Sequence, residues 1–190
     1  QAAATEIARH ELYGCTGAEM VQEMKPYFTD FPNVKNNCLR FEVSPSIEES
    51  SSFTDADWAE LGNDFMQRMG LMNHQYIIIR HSGTESKKEQ AHLHILANRI
   101  SLSGELYRDN WIGKRATEAA NAIAKERNFV QSQDIGKANK AEIKEAMNEV
   151  LKKLQGFDLA KFQEELGKLG FKVREARAST GKLNGYYVTA

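Results

Sequence analysis

The chain has 190 residues, 41% of them hydrophobic, with 25 basic and 26 acidic side chains and a formal net charge of −1. That length suits one substantial core with a small appended lobe. No run approaches roughly eighteen consecutive apolar residues and no basic-then-apolar leader opens the chain, which excludes membrane-spanning and exported classes and leaves a soluble intracellular protein.

The opening Gln1-Ala-Ala-Ala-Thr-Glu-Ile-Ala has a helix-like composition and no initiating methionine, so it reads as part of a longer chain. Cys15 and Cys38, the two cysteines, are widely separated and suit reduced thiols rather than a disulfide framework. A helical pattern covers residues 16–28, with Met20, Val21 and Met24 spaced to face a core. Residues 38–43 alternate apolar and polar, as a half-buried strand does, and Ser44-Pro45 ends the run. Residues 48–52 are polar and linker-like. Thr54-Asp-Ala-Asp57 has the layout of a capped helix start, Trp58, Leu61, Phe65 and Met69 form a buried stripe, and Gly70 stops the helix.

Residues 75–80 are a β-branched run typical of a central strand, and residues 92–100 form a second strand after a polar excursion, with a turn at 101–104. Helical patterns recur at 114–126, 138–154 and 159–169. Residues 171–176 and 183–188 then read as a hairpin whose Gly181 takes a positive φ. The expected organisation is a domain over residues 1–136 followed by a helix-helix-β-hairpin segment over 137–190.

Charge is unevenly distributed: residues 1–70 hold 5 basic against 12 acidic side chains, residues 71–136 hold 9 against 7, and residues 137–190 hold 11 against 7. The basic groups gather in the later two-thirds, which permits nucleic-acid binding despite the negative total.

Three of the five histidines fall within fourteen residues, as His81, His92 and His94. On a strand, residues i and i+2 share a face, so the imidazoles of His92 and His94 converge. His81 ends the preceding strand and joins them if the two strands pair antiparallel, giving three nitrogens with positions open for water or substrate. Spacing alone does not name the metal, and Zn, Mn, Fe and Ni all suit such donors. Glu85 and Glu89 are candidates to orient the rings.

The segment His74-Gln-Tyr-Ile-Ile-Ile-Arg-His81, a polar loop, then His92-Leu-His94-Ile-Leu-Ala-Asn98-Arg99-Ile100 resembles the third motif of the mobilization and conjugative relaxases, a branch of the His-hydrophobe-His endonucleases. The resemblance covers roughly residues 5–130. It implies an α+β fold, a two-layer sandwich with a central antiparallel sheet backed by helices, with the helix-helix-hairpin segment as an extension. It also implies a Mg²⁺ or Mn²⁺ ion on His81, His92 and His94 and strand-specific nicking of DNA at a transfer origin by transesterification. The implied partners are single-stranded DNA, an accessory mobilization protein and a secretion coupling protein in a bacterial cytoplasm, with no membrane. Two departures stand out: Gln90-Ala91 replaces a His-Pro common in relatives, and the loop between His81 and His92 is longer.

On this alignment the nucleophilic tyrosine lies upstream of Gln1, and Tyr13 is the nearest substitute within the chain. Arg80, Asn98, Arg99 and Trp111 are the candidate DNA contacts, with Tyr107, Arg108, Lys114 and Arg115 ranked below them. Three other readings stay open: a rolling-circle replication-initiation nuclease, a non-catalytic DNA- or protein-binding module, and a zinc hydrolase using Glu85 or Glu89 as base.

Overall fold

The computed structural model describes residues 4–82, 90–154 and 156–189, the Ser132 side chain excepted. Residues 1–130 and 131–190 form two compact units. The first carries strands β1 (Ala4–His10), β2 (Cys38–Val43), β3 (His74–His81) and β4 (His92–Ser101) and helices α1 (Gly17–Met24), α2 (Ile47–Ser50), α3 (Asp55–Arg68) and α4 (Ile112–Glu126). A short 3-10 turn, Lys25–Phe28, continues α1. The strands form one antiparallel sheet in the order β1-β3-β4-β2, flanked by helices, so the fold is α+β as expected.

Alternation along the strands gives the sheet two different faces. Leu39, Phe41 and Val43 of β2, Tyr76 and Ile78 of β3, and Leu93, Ile95 and Ala97 of β4 join Trp58, Leu61 and Phe65 of α3 and Ile123 of α4 in the main core. Ile78, Leu93 and Ile95 are fully buried there, and each such side chain contributes about 1.5–3 kcal/mol. Helix α3 lies so close that a methyl group at Gly62 would meet Ile78 Cδ1 at 2.7 Å, so the glycine within the helix permits the close approach. On the opposite face Ile77 packs with Leu12, Met20 and Met24 beneath α1, and Ile79 and Leu96 lie against that cluster.

Local sequence sets where these helices begin. Thr16 with Glu19, Ser46 with Glu49 and Thr54 with Asp57 each form a reciprocal capping box at the starts of α1, α2 and α3, a device worth about 1 kcal/mol. Gly70 has φ 73°, and the helix ends there as its position predicts.

Two expectations are corrected. The N-terminal segment is strand β1 rather than a helix: Ala4 pairs with His81 and His10 with Tyr76, with an irregularity between Glu6 and Ala8. That irregularity breaks the period-2 pattern that would have revealed the strand. The linker-like stretch includes the capped single turn α2.

The second unit holds helices α5 (Ser132–Lys153) and α6 (Leu159–Lys168) and a hairpin of β5 (Lys172–Arg177) and β6 (Leu183–Thr189). Helix α5 begins six residues ahead of the expected start, running through Gly136. Ala146, Val150, Phe162, Leu166 and Phe171 make its core. Gly181 at the hairpin turn has φ 82°, as anticipated. No helix among the described residues is long and apolar enough to cross a membrane.

Candidate metal centre

Strands β3 and β4 occupy the middle of the sheet, and their pairing sets His81 directly opposite His92. His94 follows on the same face as His92, the one that also bears Ile77 and Ile79. One ring nitrogen from each histidine lies within 4.8 Å of the others. His92 Nε2 and His94 Nε2 are 3.1 Å apart, close to the separation of two ligands held about 2.1 Å from one ion at right angles. The ring centroids of His81 and His94 are 4.4 Å apart, those of His81 and His92 5.5 Å. The three ring nitrogens thus fit a divalent cation with open positions. His92 is buried while His81 and His94 are half-exposed, so the cluster opens to solvent on one side.

The neighbours of the rings fix their protons. Arg40 Nη2 lies 3.2 Å from His94 Nδ1, and because a guanidinium only donates, that Nδ1 accepts. A neutral His94 then carries its hydrogen on Nε2 and donates to His92 Nε2. His92 in turn donates from Nδ1 to the Gln90 carbonyl at 3.2 Å. His94 is held below the usual histidine range, by burial first and then by the neighbouring His81, His92 and Arg40. A ring kept unprotonated is the form that ligates.

Arg40 was not among the expected site residues. The alternation in residues 38–43 marks it as pointing away from the core, but only the pairing of β2 with β4, which sets Arg40 opposite Leu96 and Glu42 opposite His94, brings it to the histidines.

The other candidates fall elsewhere. Arg80 is on the helix-covered face, where its Nη1 donates to Asp55 Oδ1 at 2.5 Å. Arg99 also lies on that face, donating to Asp109 Oδ1 at 2.7 Å and to the Tyr107 carbonyl. Asn98 lies in the core: it is 0% exposed, donates to Gln75 Oε1 at 2.9 Å and accepts from the Ile100 amide. It sits four residues beyond His94, roughly 13 Å along the strand.

Trp111 is 81% exposed, with φ 55° just ahead of α4, and makes no ring contact among the described residues. Tyr107 is half-buried and donates its hydroxyl to the Met69 carbonyl, with the Arg115 guanidinium 4.7 Å over its ring. Arg108 gives its carbonyl to Arg115, and the Lys114 amine stands 3.8 Å from Glu118.

Tyr13 lies away from the histidines. It follows β1 at the end of the sheet away from the histidines, since Ala4 rather than His10 pairs with His81. Six residues of strand separate those ends, roughly 20 Å. Its hydroxyl donates to Glu11 Oε2 at 3.1 Å, and that carboxylate pushes the phenol up, away from the ionised form a nucleophile needs. Glu85 and Glu89 lie outside the described residues.

A family model described as relaxase, MobA/VirD2-like, nuclease domain matches residues 1–129. Neither the curated proteins nor the solved structures give a match.

Proposed function

The chain belongs to the MobA/VirD2-like relaxase family, and from that membership we propose that it nicks one DNA strand at a transfer origin during mobilization of a plasmid or transposon. Relaxases are nucleases that bind single-stranded DNA at such an origin with the help of a divalent metal. The observation that carries the reading to this chain is the convergence of His81, His92 and His94 within 4.8 Å on two paired central strands.

These rings would hold a Mg²⁺ or Mn²⁺ ion, and Mn²⁺ is the better probe because imidazole suits it more than the harder Mg²⁺. When bound, such an ion polarises the phosphate oxygens and stabilises the charge that develops on them. His94 must then present a bare Nε2, so its ring hydrogen sits on Nδ1 and Arg40 has nothing left there to donate to. Arg40 turns to another acceptor, and a phosphate oxygen of the bound strand provides one.

The reaction is a transesterification in which a tyrosyl oxygen attacks phosphorus. The tyrosine's O–P bond forms, the 3′-oxygen leaves with a proton, and the 5′ end stays attached to protein. The register Ala4↔His81 sets the first residue of β1 beside the histidines, which supports a tyrosine supplied from ahead of Gln1. The single-stranded origin, an accessory mobilization protein and a secretion coupling protein are the partners, in a bacterial cytoplasm.

Calorimetric titration with Mn²⁺ tests the reading. One ion per chain is expected, with binding lost in the His92→Ala, His94→Ala double variant and single-stranded DNA held more tightly with Mn²⁺ than with chelator. A chain that takes up no divalent ion is instead the binding module, and ester hydrolysis without DNA affinity marks the zinc hydrolase.

A further inference from the structure

The hairpin of the second unit has two unlike faces. Val173 and Val188 pack against the core of that unit, and Tyr186 turns toward Phe157, ring centroids 6.4 Å apart. The outward face carries Lys172 and Arg174 on β5, with Arg174 directly opposite Tyr187 and Lys172 opposite Thr189 on β6. Adjacent tyrosines therefore part company: Tyr186 is half-buried, and Tyr187 stands 63% exposed with no ring partner among the described residues. Lys182 lies at the turn and is also exposed.

Residues 171–189 contain four basic side chains, Lys172, Arg174, Arg177 and Lys182, against the single acid Glu175. Glu175 is engaged by Arg177 at 2.7 Å, which leaves Lys172, Arg174 and Lys182 without a carboxylate among the described residues. A solubilising surface needs neither a bare aromatic ring nor two unneutralised cations on the strand beside it, and exposing the ring to water is a cost.

We propose that this face is a second single-stranded DNA contact, separate from the histidine cluster, in which an unpaired base stacks on Tyr187 while Lys172 and Arg174 hold the adjoining phosphates and Lys182 at the turn meets the strand further along. The occupant rests on the function proposed above. The chemistry fits it independently: a flat, exposed ring accepts any base face, whereas a duplex keeps its base faces stacked within. Lys172 and Arg174 are two residues apart on one strand, about 7 Å, which matches successive phosphates of an extended strand. No metal is involved.

The test is fluorescence anisotropy of a labelled twenty-residue oligothymidylate with the full chain in chelator, across a salt series. Tyr187→Ala is expected to weaken binding about tenfold, in keeping with one lost stacking contact, and to leave the salt dependence unchanged because no charge is removed. Tyr187→Phe should bind as the unaltered chain does. The double variant Lys172→Gln, Arg174→Gln should lower the slope of log affinity against log salt by about 1.4, the value for two phosphate contacts on a single strand. All these positions are exposed, so an unchanged Tm shows that the fold is intact.

Unaltered affinity in Tyr187→Ala, or a duplex of equal length held as tightly as the single strand, overturns the inference. If these hairpin variants bind normally in Mn²⁺ while the His92→Ala, His94→Ala variant does not, the function stands and the second contact falls. If the unaltered chain binds no single strand at low salt in chelator, the second contact falls, and if it binds none in Mn²⁺ either, the function falls with it.

Discussion

The two faces of the β3–β4 pair are built from alternate residues of the same eighteen positions, yet they do opposite work. Leu93, Ile95 and Ala97 meet α3 and α4 with no exposure at all, while His92 and His94, one residue away in each case, join His81 on the other face. The difference teaches that rigidity and chemistry need not be traded against each other along a strand. The dry face fixes the ladder, and the ladder fixes the imidazoles.

This division of labour is open to a double dissociation. The largest expected effect is on the dry face: Leu93→Ala should cost about 2–5 kcal/mol in urea unfolding, since α3 is too closely seated to refill the gap. Protein that remains folded should still bind Mn²⁺. On the wet face, His92→Ala with His94→Ala should leave the unfolding midpoint nearly unchanged. It should weaken Mn²⁺ binding by more than the roughly 10–100-fold that follows loss of a residue merely orienting a ligand. Loss of fold in the histidine variant, or loss of metal in folded Leu93→Ala, would break the comparison.

A smaller effect sharpens it. Arg40 presently donates to the His94 nitrogen that must carry hydrogen when Nε2 ligates, so Arg40→Gln should tighten Mn²⁺ several-fold without DNA, since an amide can accept as well as donate. Weaker Mn²⁺ binding in that variant would mean that the guanidinium supports the ligand instead.

The smallest effect comes from a histidine on the dry side. His74 is buried, its Nδ1 2.9 Å from the Asn98 carbonyl, and burial holds it below its ordinary value of 6.5. The unfolded chain therefore binds the proton more readily, and stability should fall as pH drops from about 6.5 through the folded value. A single proton limits the slope to about 1.4 kcal/mol per pH unit. Urea melts at pH 7.5 and 5.5 should diverge less in His74→Gln than in the unaltered chain.

Much of this was legible in the letters. The strand at residues 38–43 and the helix stopped by Gly70 follow from period and caps, and the three histidines were identifiable because i, i+2 spacing on a strand needs only one further pairing to converge. What escaped depended on partners distant in sequence. β1 is strand because β3 offers it a ladder, against a composition rich in alanine and glutamate that favours helix when read alone. Arg40 reached the site through pairing across more than fifty residues. The partners of Asn98 are hidden for a like reason: a polar residue in a motif looks available until Gln75 and the Ile100 amide are seen to use it. The helix α5 runs through Gly136, where local preference suggested a boundary, since glycine in a helix costs only about 1 kcal/mol.

The register of β3 against β4 repeats itself. His81 stands to His92 and His94 as Ile79 stands to His94 and Leu96 one step further along, so the sheet contains the tripod twice, once in imidazole and once chiefly in hydrocarbon. The lower copy is closed by its contacts under α1 and forms a greasy plinth for the upper one. Geometry alone does not distinguish the two addresses; what gives one a set of candidate ligands and the other a seal is the identity of two side chains.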